Sequence, residues 1–423
     1  MKEFDKVIGY DEVKLELERL CDLLTRSEKY SALGVTPLGG LLLHGEPGVG
    51  KTTMAKCFIE ASGRKAFTCR KLKPNGEFVN EIKAIFDEAM KNAPAIVFLD
   101  DMDKFANDDR YHRNSEEFIA VQACIDEVKE KNVFVLATAN DLDNLPDSLL
   151  RAGRFDKVIA VKNPTGKDAV DIIQYYLAKK NYLANIDTEE VARILDGKSC
   201  AELETVVNEA GIYAGFAGKE KIDMDDIIRA CMRIIYKAPE SMEIIEDEFL
   251  EQTAYHEAGH TVVAEVLEEG SVSLVSVCQH SGDIGGITSY YQPSRYFRSK
   301  KYMEHRVLSL LAGKAATEVK YGDVDVGAKS DLHRVFDIVY RFIDDYCSYG
   351  FESWEEKSEC SNDLYSRRET QVYTELQRYY QTARKILIQN REFLDKLATA
   401  LVAKKTLIGK EVRAIKKTCK IAI

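Results

Sequence analysis

The chain has 423 residues, of which 45% are hydrophobic and 30% are charged, so it can bury two or three cores of ordinary domain size. Its formal net charge of −11 argues against a surface that binds duplex nucleic acid. It contains no apolar run long enough to span a bilayer and opens without a signal peptide. Its ten cysteines form no C-x-x-C pair, as expected for free thiols in a reducing cytosol.

The first landmark along the chain is a phosphate-binding motif. The run Gly45-Glu46-Pro47-Gly48-Val49-Gly50-Lys51-Thr52 matches G-x-x-x-x-G-K-[ST] at every position and follows the apolar residues Leu41–Leu43. In such a loop the backbone N–H groups turn toward phosphates, the lysine reaches the β and γ oxygens, and the threonine hydroxyl binds Mg²⁺. The motif therefore predicts a site for ATP with Mg²⁺.

Two further buried-strand patterns end in polar side chains that suit the same site. Ala95–Leu99 leads into Asp100, which is expected to hold Mg²⁺, and then into a position where a carboxylate orients the attacking water. That second position holds Asp101, which is one methylene shorter than the usual glutamate. Val133–Ala137 leads into Thr138-Ala139-Asn140, whose amide is expected beside the γ-phosphate.

Two arginines three residues apart follow these strands. They are Arg151 and Arg154, within the segment Leu149–Asp156. Arginines that one subunit supplies to the nucleotide of its neighbour neutralise charge on the phosphoryl group being transferred. The pair therefore predicts an oligomer whose ATP sites are completed in trans.

The order of these patterns predicts the architecture. Strands alternate with helix-length segments from Leu41 to Val161, which indicates a parallel sheet covered on both faces. Asn163–Gly166 interrupts this alternation, and Lys167–Tyr236 has a helical pattern throughout, as in a small bundle. Lys237–Asp247 has the composition of a linker, and a mostly helical second domain follows it.

The second domain carries the motif His256-Glu257-Ala258-Gly259-His260 within the helical pattern Ala254–Leu267. Histidines four residues apart lie on one face of a helix, so both can bind one metal ion while the glutamate points into the same pocket. Two imidazoles and a carboxylate hold zinc with a position open for water, and Glu257 can take the proton as this water attacks a peptide carbonyl. The motif predicts a zinc hydrolase. Downstream, Gly285–Thr288 fits either an edge strand that receives an extended peptide or a strand of the core sheet.

Together these residues resemble the FtsH family of AAA+ ATP-dependent zinc metalloproteases, and the resemblance extends from about Phe4 to Lys416. It is carried by the Walker A motif Gly45–Thr52, the Walker B motif Leu99-Asp100-Asp101, the sensor Asn140, the arginine segment Leu149–Asp156, the lid segment Leu203–Ala210, the zinc helix Thr253–Val263, the segment Gly327–Leu332 and the C-terminal helices Ala383–Leu407. The resemblance implies an α/β AAA+ P-loop core at residues 1–162 and a helical lid at 163–237. A linker at 238–247 then leads to a mostly α-helical zinc metalloprotease domain at 248–423.

The resemblance also implies the third zinc ligand. The segment Gly327–Leu332 is similar to the one that supplies this ligand in the family, which makes Asp331 the expected carboxylate beside the two histidines. Glu318, in a downstream helical pattern, is the alternative, in the manner of other zinc proteases. Among the remaining candidates, His305 and His333 are expected to be ordinary polar side chains, His280 is expected in a loop, and Asp325 flanks the ligand segment.

The sequence departs from the family pattern in three places. The family normally carries membrane-spanning helices before the ATPase domain, whereas this sequence starts almost at that domain; of a naturally soluble protein and one whose anchor has been removed, the initiating Met1 favours the first. Asp101 replaces the family's glutamate, which is expected to slow ATP hydrolysis while sparing ATP binding. The pore-loop segment Leu72–Phe78 is shorter, and Phe78 is either the aromatic residue that grips substrate or the first core residue of the next helix.

The resemblance implies a homohexamer in the cytoplasm. ATP turnover would pull unfolded or tagged protein substrates toward a zinc site that hydrolyses their peptide bonds. Zn²⁺ and ATP with Mg²⁺ are the expected cofactors, with no nucleic acid and no membrane segment. Two alternatives stay open: a nucleotide-binding zinc peptidase with weak or no ATP coupling, and an ATP-regulated binding or remodelling protein with a structural zinc site. The complete H-E-x-x-H motif argues against the last, because a structural site has no need of Glu257.

Overall fold

The computed structural model of the protein describes most of the chain. The described residues are 2–36, 38–71, 77–106, 115–151, 153–183, 185–238, 247–278, 285–291, 299–323, 327–350 and 361–422. The chain divides into two compact units, one made of residues 1–181 with 197–208 and the other of residues 182–196 with 209–423.

Strands and helices alternate in the first part of the chain, and helices dominate the rest. In chain order they are α1 (Asp11–Thr25), α2 (Ser27–Ser31), β1 (Gly40–His44), α3 (Lys51–Ser62), β2 (Lys65–Cys69), α4 (Phe78–Lys91), β3 (Ala95–Leu99), α5 (Ser115–Glu127), β4 (Val133–Ala139), β5 (Lys157–Ala160), α6 (Lys167–Leu177), α7 (Thr188–Ile194), α8 (Cys200–Phe216), α9 (Met224–Ile234), α10 (Asp247–Leu267), β6 (Val272–Ser276), β7 (Ile287–Tyr290), α11 (Lys300–Tyr321), α12 (Lys329–Asp344), α13 (Asn362–Gln389), α14 (Arg391–Lys404), β8 (Thr406–Ile408) and α15 (Gly409–Lys416). Short 3-10 helices lie at Lys2–Lys6 and Met102–Lys104. Within the described ranges, no helix is both long enough and apolar enough to cross a membrane.

The first unit is organised around a five-stranded parallel sheet with the strand order β2-β3-β4-β1-β5. Strands β1, β3 and β4 are rich in apolar residues and almost wholly buried, as expected when helices cover both faces of a parallel sheet. The predicted α/β fold class is therefore confirmed. Because parallel strands end at the same edge of a sheet, β1, β3 and β4 deliver Gly45, Asp100 and Asn140 to one place.

Two glycines shape the loop between β1 and α3. Gly45 has a φ of +148°, and a Cβ there would lie 2.0 Å from the backbone carbonyl oxygen of Val161. Gly50, the residue before α3, has a φ of +100°, a conformation that side-chain-bearing residues rarely adopt. The loop can therefore turn tightly enough to present its backbone N–H groups and the first turn of α3 to a phosphate.

The second unit is mostly helical, as predicted, and contains a small antiparallel sheet in the order β7-β6-β8. Its core forms where α10 packs on α11, and small residues let these helices approach closely. A Cβ on Gly259 of α10 would lie 2.4 Å from the backbone carbonyl oxygen of Ala312 on α11, and Ala312 and Ala316 are fully buried. Strand β7 lies at the edge of this sheet. Of the two alternatives predicted for the segment beginning at Gly285, an edge strand or a core strand, the structure has the edge strand.

Candidate active site

Two histidines and one carboxylate meet at a single point in the second unit. His256 and His260 lie one turn apart on α10, and Asp331 lies in the first turn of α12. The two Nε2 atoms are 3.0 Å apart, and Asp331 Oδ2 is 3.3 Å from that of His256 and 3.2 Å from that of His260. Bonds of about 2.0–2.1 Å to a tetrahedral zinc ion would place ligand atoms about 3.3 Å from one another. The three side chains therefore fit the protein ligands of one zinc ion.

Helix α11 fixes which ring nitrogen faces the metal position. The His260 Nδ1 atom lies 2.6 Å from the backbone carbonyl oxygen of Ser309, so Nδ1 donates its hydrogen and the Nε2 lone pair is left for the metal. Gly313, one turn later, leaves room for both rings, because a Cβ there would lie 2.5 Å from His260 Nε2 and 2.6 Å from His256 Nε2. No sequence motif identifies Ser309 or Gly313, since they meet the histidines only through helix packing.

Asp331, and not Glu318, is the carboxylate that the fold brings to the histidines. Burial acts to raise the pKa of Asp331, yet the neighbouring imidazoles, His260 foremost, hold it well below its usual value. Glu318 on α11 instead accepts a hydrogen bond from the hydroxyl of Tyr380 and lies 3.7 Å from the ammonium group of Lys314. The geometry thus favours the ligand set that the family resemblance implies.

The general base predicted at position 257 is oriented by the strand that faces it. Thr288 Oγ1 on β7 donates to Glu257 Oε2 at 2.7 Å. A Cβ on Gly286 would lie 2.6 Å from Glu257 Cγ, so only glycine leaves the glutamate its place. Thr288 has no predicted role in the sequence, although strand alternation from Gly286 could have indicated it.

A cavity of about 520 Å³ opens beside the metal position. Besides the ligands and Glu257, its walls include Tyr290 at the end of β7 and Arg334 on α12. Burial raises the pKa of Tyr290, and the carboxylates of Glu257 and Asp331 raise it further. The cavity gives a peptide bond space to lie against both the metal position and the general base.

In the first unit, the phosphate-binding loop meets the ends of β3 and β4. Lys51 is only 6% exposed, and burial lowers its pKa. Its Nζ donates to the backbone carbonyl oxygens of Gly45 and Glu46 at 2.6 and 2.8 Å, and to Asn140 Oδ1 at 3.0 Å. The lysine thus connects the loop to the sensor position. The exposed tip of the loop is Glu46, Pro47 and Gly48, and Val49 is fully buried.

Two hydroxyl groups hold Asp100, which is 5% exposed. Its Oδ1 accepts from Thr52 Oγ1 at 3.1 Å and from Thr138 Oγ1 at 2.9 Å. The structure therefore brings together Thr52 and Asp100, the two residues predicted to share Mg²⁺. Thr138, which the sequence reasoning did not assign, also accepts from the backbone N–H of Asp101 at 2.9 Å and so connects the two acidic positions.

Two other acidic residues take different positions at this edge. Asp101 accepts from Lys104 Nζ at 2.7 Å and lies 3.4 Å from the guanidinium group of Arg70. Burial acts to raise the pKa of Asp101, but the hydrogen bond from Lys104 lowers it below its usual value. The carboxylate that contacts the sensor is Asp103, which accepts from the backbone N–H of Asn140 at 3.2 Å and from its Nδ2 at 3.4 Å. Asp103 therefore keeps the amide oxygen of Asn140 turned toward the loop lysine.

The two arginines predicted to act in trans have different surroundings. Arg151 is exposed, whereas the Arg154 side chain is only 16% exposed. Arg154 Nε and Nη2 donate to the two oxygens of Asp126 on α5 at 3.1 and 2.7 Å, and Nη1 donates to the backbone carbonyl of Ser148. This bidentate contact lowers the pKa of Asp126 to about 2.

The sequence left Phe78 as either a residue that grips substrate or the first core residue of the next helix, and in the structure it lies in the core. It is the first residue of α4, is 2% exposed, and packs edge-on against the ring of Phe105 with the ring centres 5.2 Å apart. The rest of the predicted pore segment, residues 72–76, lies outside the described residues, as do His280 and Asp325. Of the other histidines, His305 is half-buried and His333 is exposed, and neither belongs to the metal-ligand cluster found in the described chain.

Comparison with known proteins finds two family models that match the chain. The "ATPase family associated with various cellular activities (AAA)" matches residues 41–163, and "Peptidase family M41" matches residues 243–415. The chain is also similar to three bacterial proteins over 97% of its own length. The ATP-dependent zinc metalloprotease FtsH 2 of Thermoanaerobacter sp. (strain X514) is 28% identical, with 82% of that protein covered. FtsH 1 of Thermomicrobium roseum is 31% identical with 68% covered, and FtsH of Caldicellulosiruptor bescii is 29% identical with 71% covered.

Replacing Gly313 by alanine is expected to weaken zinc binding at least about tenfold, as loss of a supporting contact around a metal site commonly does. The added methyl group would overlap both histidine Nε2 atoms. The intrinsic helix preference of α11 is not expected to suffer, because alanine is favoured over glycine in a helix by about 1 kcal/mol. Zinc affinity, measured by competition with a chromophoric chelator, provides the check.

Gly215→Ala is the matched control, because Gly215 is also helical and a Cβ there meets nothing within 4 Å. Equal zinc affinity in the Gly313→Ala variant and the wild type would contradict the assigned metal position.

Proposed function

The chain belongs to the FtsH family of ATP-dependent zinc metalloproteases, and from this we propose how its own residues divide the work of degrading a protein. The observation that carries the proposal is the convergence of His256, His260 and Asp331 beside Glu257 in one cavity. We further propose that residues 1–162 and 163–237 act as the ATPase core and lid, and that residues 248–423 act as the protease beyond a linker at 238–247.

In the protease half, His256, His260 and Asp331 hold the zinc ion. Bound zinc supplies a Lewis acid that polarises the peptide carbonyl and lowers the pKa of water. Glu257 takes the proton from the attacking water and returns a proton to the leaving amine. Thr288 supports this role, because its hydrogen bond to Oε2 fixes the orientation of the carboxylate. Peptide bond and water are thereby converted into a carboxylic acid and an amine.

In the ATPase half, the loop from Gly45 to Thr52 surrounds the phosphates, with Lys51 on their oxygens. Thr52 and Asp100 hold Mg²⁺, and Asn140 contacts the γ-phosphate. The existing bonds of Lys51 to two loop carbonyls and to Asn140 support this, because they already place its ammonium group between the loop and the sensor. Lys51 would exchange these contacts for phosphate oxygens when ATP is bound.

We place Arg151 at the nucleotide of a neighbouring subunit and give Arg154 a bracing role within its own subunit. Arg154 uses Nε and both terminal nitrogens on Asp126 and Ser148, so reaching a neighbour would break a bidentate ion pair. Such contacts fix the loop that carries the exposed Arg151. The sequence predicts that both arginines act in trans, whereas this proposal gives that role to Arg151 alone.

The assembly and setting follow from this chemistry. An arginine acting in trans requires a head-to-tail contact between subunits, which can close into a ring, and we propose a homohexamer that takes unfolded or tagged proteins. We propose a cytoplasmic location, which is supported by the need for ATP and by nine described cysteines that are all free thiols.

Degradation of casein by the zinc-loaded protein is the test of the proposed function. We expect cleavage with ATP and little with a non-hydrolysable analogue or without nucleotide, because hydrolysis must drive the chain to the zinc site. Glu257→Gln should abolish cleavage while zinc and ATP still bind. Glu251→Gln, the same change about two turns earlier on α10, should keep full activity because Glu251 lies outside the residues assigned to the site and pairs with Lys320 at 3.4 Å. Cleavage that is indifferent to nucleotide would instead support the uncoupled zinc peptidase.

Restoring the usual glutamate at position 101 is expected to raise ATP turnover about tenfold with little change in the KM for ATP. The longer side chain would extend the carboxylate by one methylene toward the attacking water, whose orientation is the role expected of this position. Steady-state phosphate release measures the effect. Asp87→Glu, on the exposed side of α4, is the control for the substitution itself, and slower hydrolysis by Asp101→Glu would refute the idea that the shortened carboxylate limits turnover.

Asp126→Asn separates the two roles available to Arg154. If Arg154 braces the loop, losing the carboxylate should lower ATP turnover about tenfold, with ATP affinity and ring assembly unchanged. In an Arg151→Ala background the same change should have no further effect, because the brace acts through Arg151. Lys129→Ala, which removes the other cation bound to Asp126, should be neutral. Unchanged or faster turnover would show that releasing Arg154 is harmless and would restore it as an arginine acting in trans.

A further inference from the structure

One face of strand β7 and the residue leading into it supply three successive side-chain positions to the zinc pocket. Gly286 lies against Glu257, Thr288 donates to the same carboxylate, and Tyr290 lines the cavity. Positions two apart in an extended strand share a face. The intervening Ser289 lies on the other face, where its Oγ accepts from the hydroxyl of Tyr236 at 2.8 Å. Tyr290 is therefore directed to the site by the same alternation that directs Thr288.

The hydroxyl of Tyr290 is available to a bound molecule. The side chain is half-buried, and the described residues offer its hydroxyl no hydrogen-bond partner. Tyr290 lies close enough to Glu257 and Asp331 to interact electrostatically with both carboxylates. A phenol with a pKa of about 10 keeps its proton at neutral pH and can donate a hydrogen bond.

Peptide hydrolysis at this site can use a hydrogen-bond donor beside the zinc, and the residues assigned so far include no such donor. When water attacks the carbonyl carbon, the π electron pair moves onto the carbonyl oxygen, while the water proton passes to Glu257. Glu257 is neutral once it holds this proton, so the negative charge lies on the carbonyl oxygen, where a hydrogen-bond donor can stabilise it alongside the zinc. Hydrogen-bond donors fixed in advance at such an oxygen are among the largest contributors to catalysis.

We propose that Tyr290 is a catalytic residue that donates a hydrogen bond to the peptide carbonyl oxygen as this oxygen becomes negatively charged. The inference rests on the proposed zinc protease function and adds a residue to it. Tyr290 keeps its proton throughout. When the carbonyl re-forms, the C–N bond breaks and the amine takes the proton held by Glu257, so the hydrogen bond from Tyr290 weakens as the charge disappears.

Arg334 is the competing donor on the cavity wall. It lies one turn after Asp331 on α12, lines the same cavity and is exposed. An exposed, flexible arginine must be ordered before it can stabilise a charge. Tyr290 is held on a strand that already pairs with β6 at Val272, so its position costs less to fix.

Tyr290→Phe removes the hydroxyl and leaves the ring. For zinc-loaded protein acting on a short unfolded peptide, we expect kcat to fall about 10²-fold with KM within about twofold of the wild type. A phosphinic pseudopeptide, whose phosphinate oxygens resemble the transition state, should bind about 10²-fold more weakly, whereas a cleaved product peptide should bind equally well. Zinc content should be unchanged. Tyr291→Phe, the same change at the next residue, where the ring packs under Arg193 at 4.3 Å, should alter none of these quantities.

Three results would overturn the proposal. The first is a Tyr290→Phe variant that keeps kcat within about threefold of the wild type. The second is loss of zinc from that variant, which would make the hydroxyl structural. The third is loss of phosphinate affinity in Arg334→Gln but not in Tyr290→Phe, which would assign the charge to the arginine. Phosphinate binding is read without turnover, so it tests Tyr290 even if the wild type cleaves no peptide, an outcome that would refute the proposed function instead.

Discussion

The close packing of α10 on α11 is the constraint on which the zinc site depends. Two histidine rings can point their Nε2 atoms at one position only if the facing helix leaves room, and Gly313 leaves it. Gly259 and the neighbouring alanines bring the helices near enough for the backbone of Ser309 to reach His260. The histidine ligands on α10 are therefore preorganised by packing against α11, which supplies none of the three ligands.

The ATPase site depends on a different constraint, the shared edge at which parallel strands end. The phosphate-binding loop, the acidic residues and the sensor Asn140 follow the strands β1, β3 and β4. These strands are distant in sequence and adjacent in the sheet. Hydroxyl and amide groups then join them into one network, in which Thr138 holds Asp100 and Asp103 orients Asn140. Asp101 joins this network through its backbone N–H, which donates to Thr138, whereas its carboxylate is engaged by Lys104 and Arg70. With aspartate in place of the usual glutamate, Asp101 is one of the positions at which this ATPase is expected to differ from the family pattern.

The two sites use the same physical means to prepare for charge. Each places a carboxylate against groups that fix its orientation, such as Thr288 on Glu257 or the two threonines on Asp100. Charge-assisted hydrogen bonds of this kind are strong where solvent is limited. The cost of arranging them is met during folding, so that neither site has to reorganise its carboxylates when substrate arrives.

The sequence by itself determined the local motifs and the fold class. A phosphate-binding loop and an H-E-x-x-H helix depend on the spacing of residues within one element, and the alternation of apolar runs is enough to predict a parallel sheet. The family resemblance then implies that Asp331 is the third zinc ligand. Tertiary structure alone decided which residues meet across elements: Asp331 rather than Glu318 at the histidines, Thr288 and Tyr290 on the far wall, Phe78 in the core, and Arg154 on Asp126. Such choices depend on the packing of helices and the register of strands, which no local pattern encodes, because residues far apart in sequence become neighbours only when the chain buries its apolar surface.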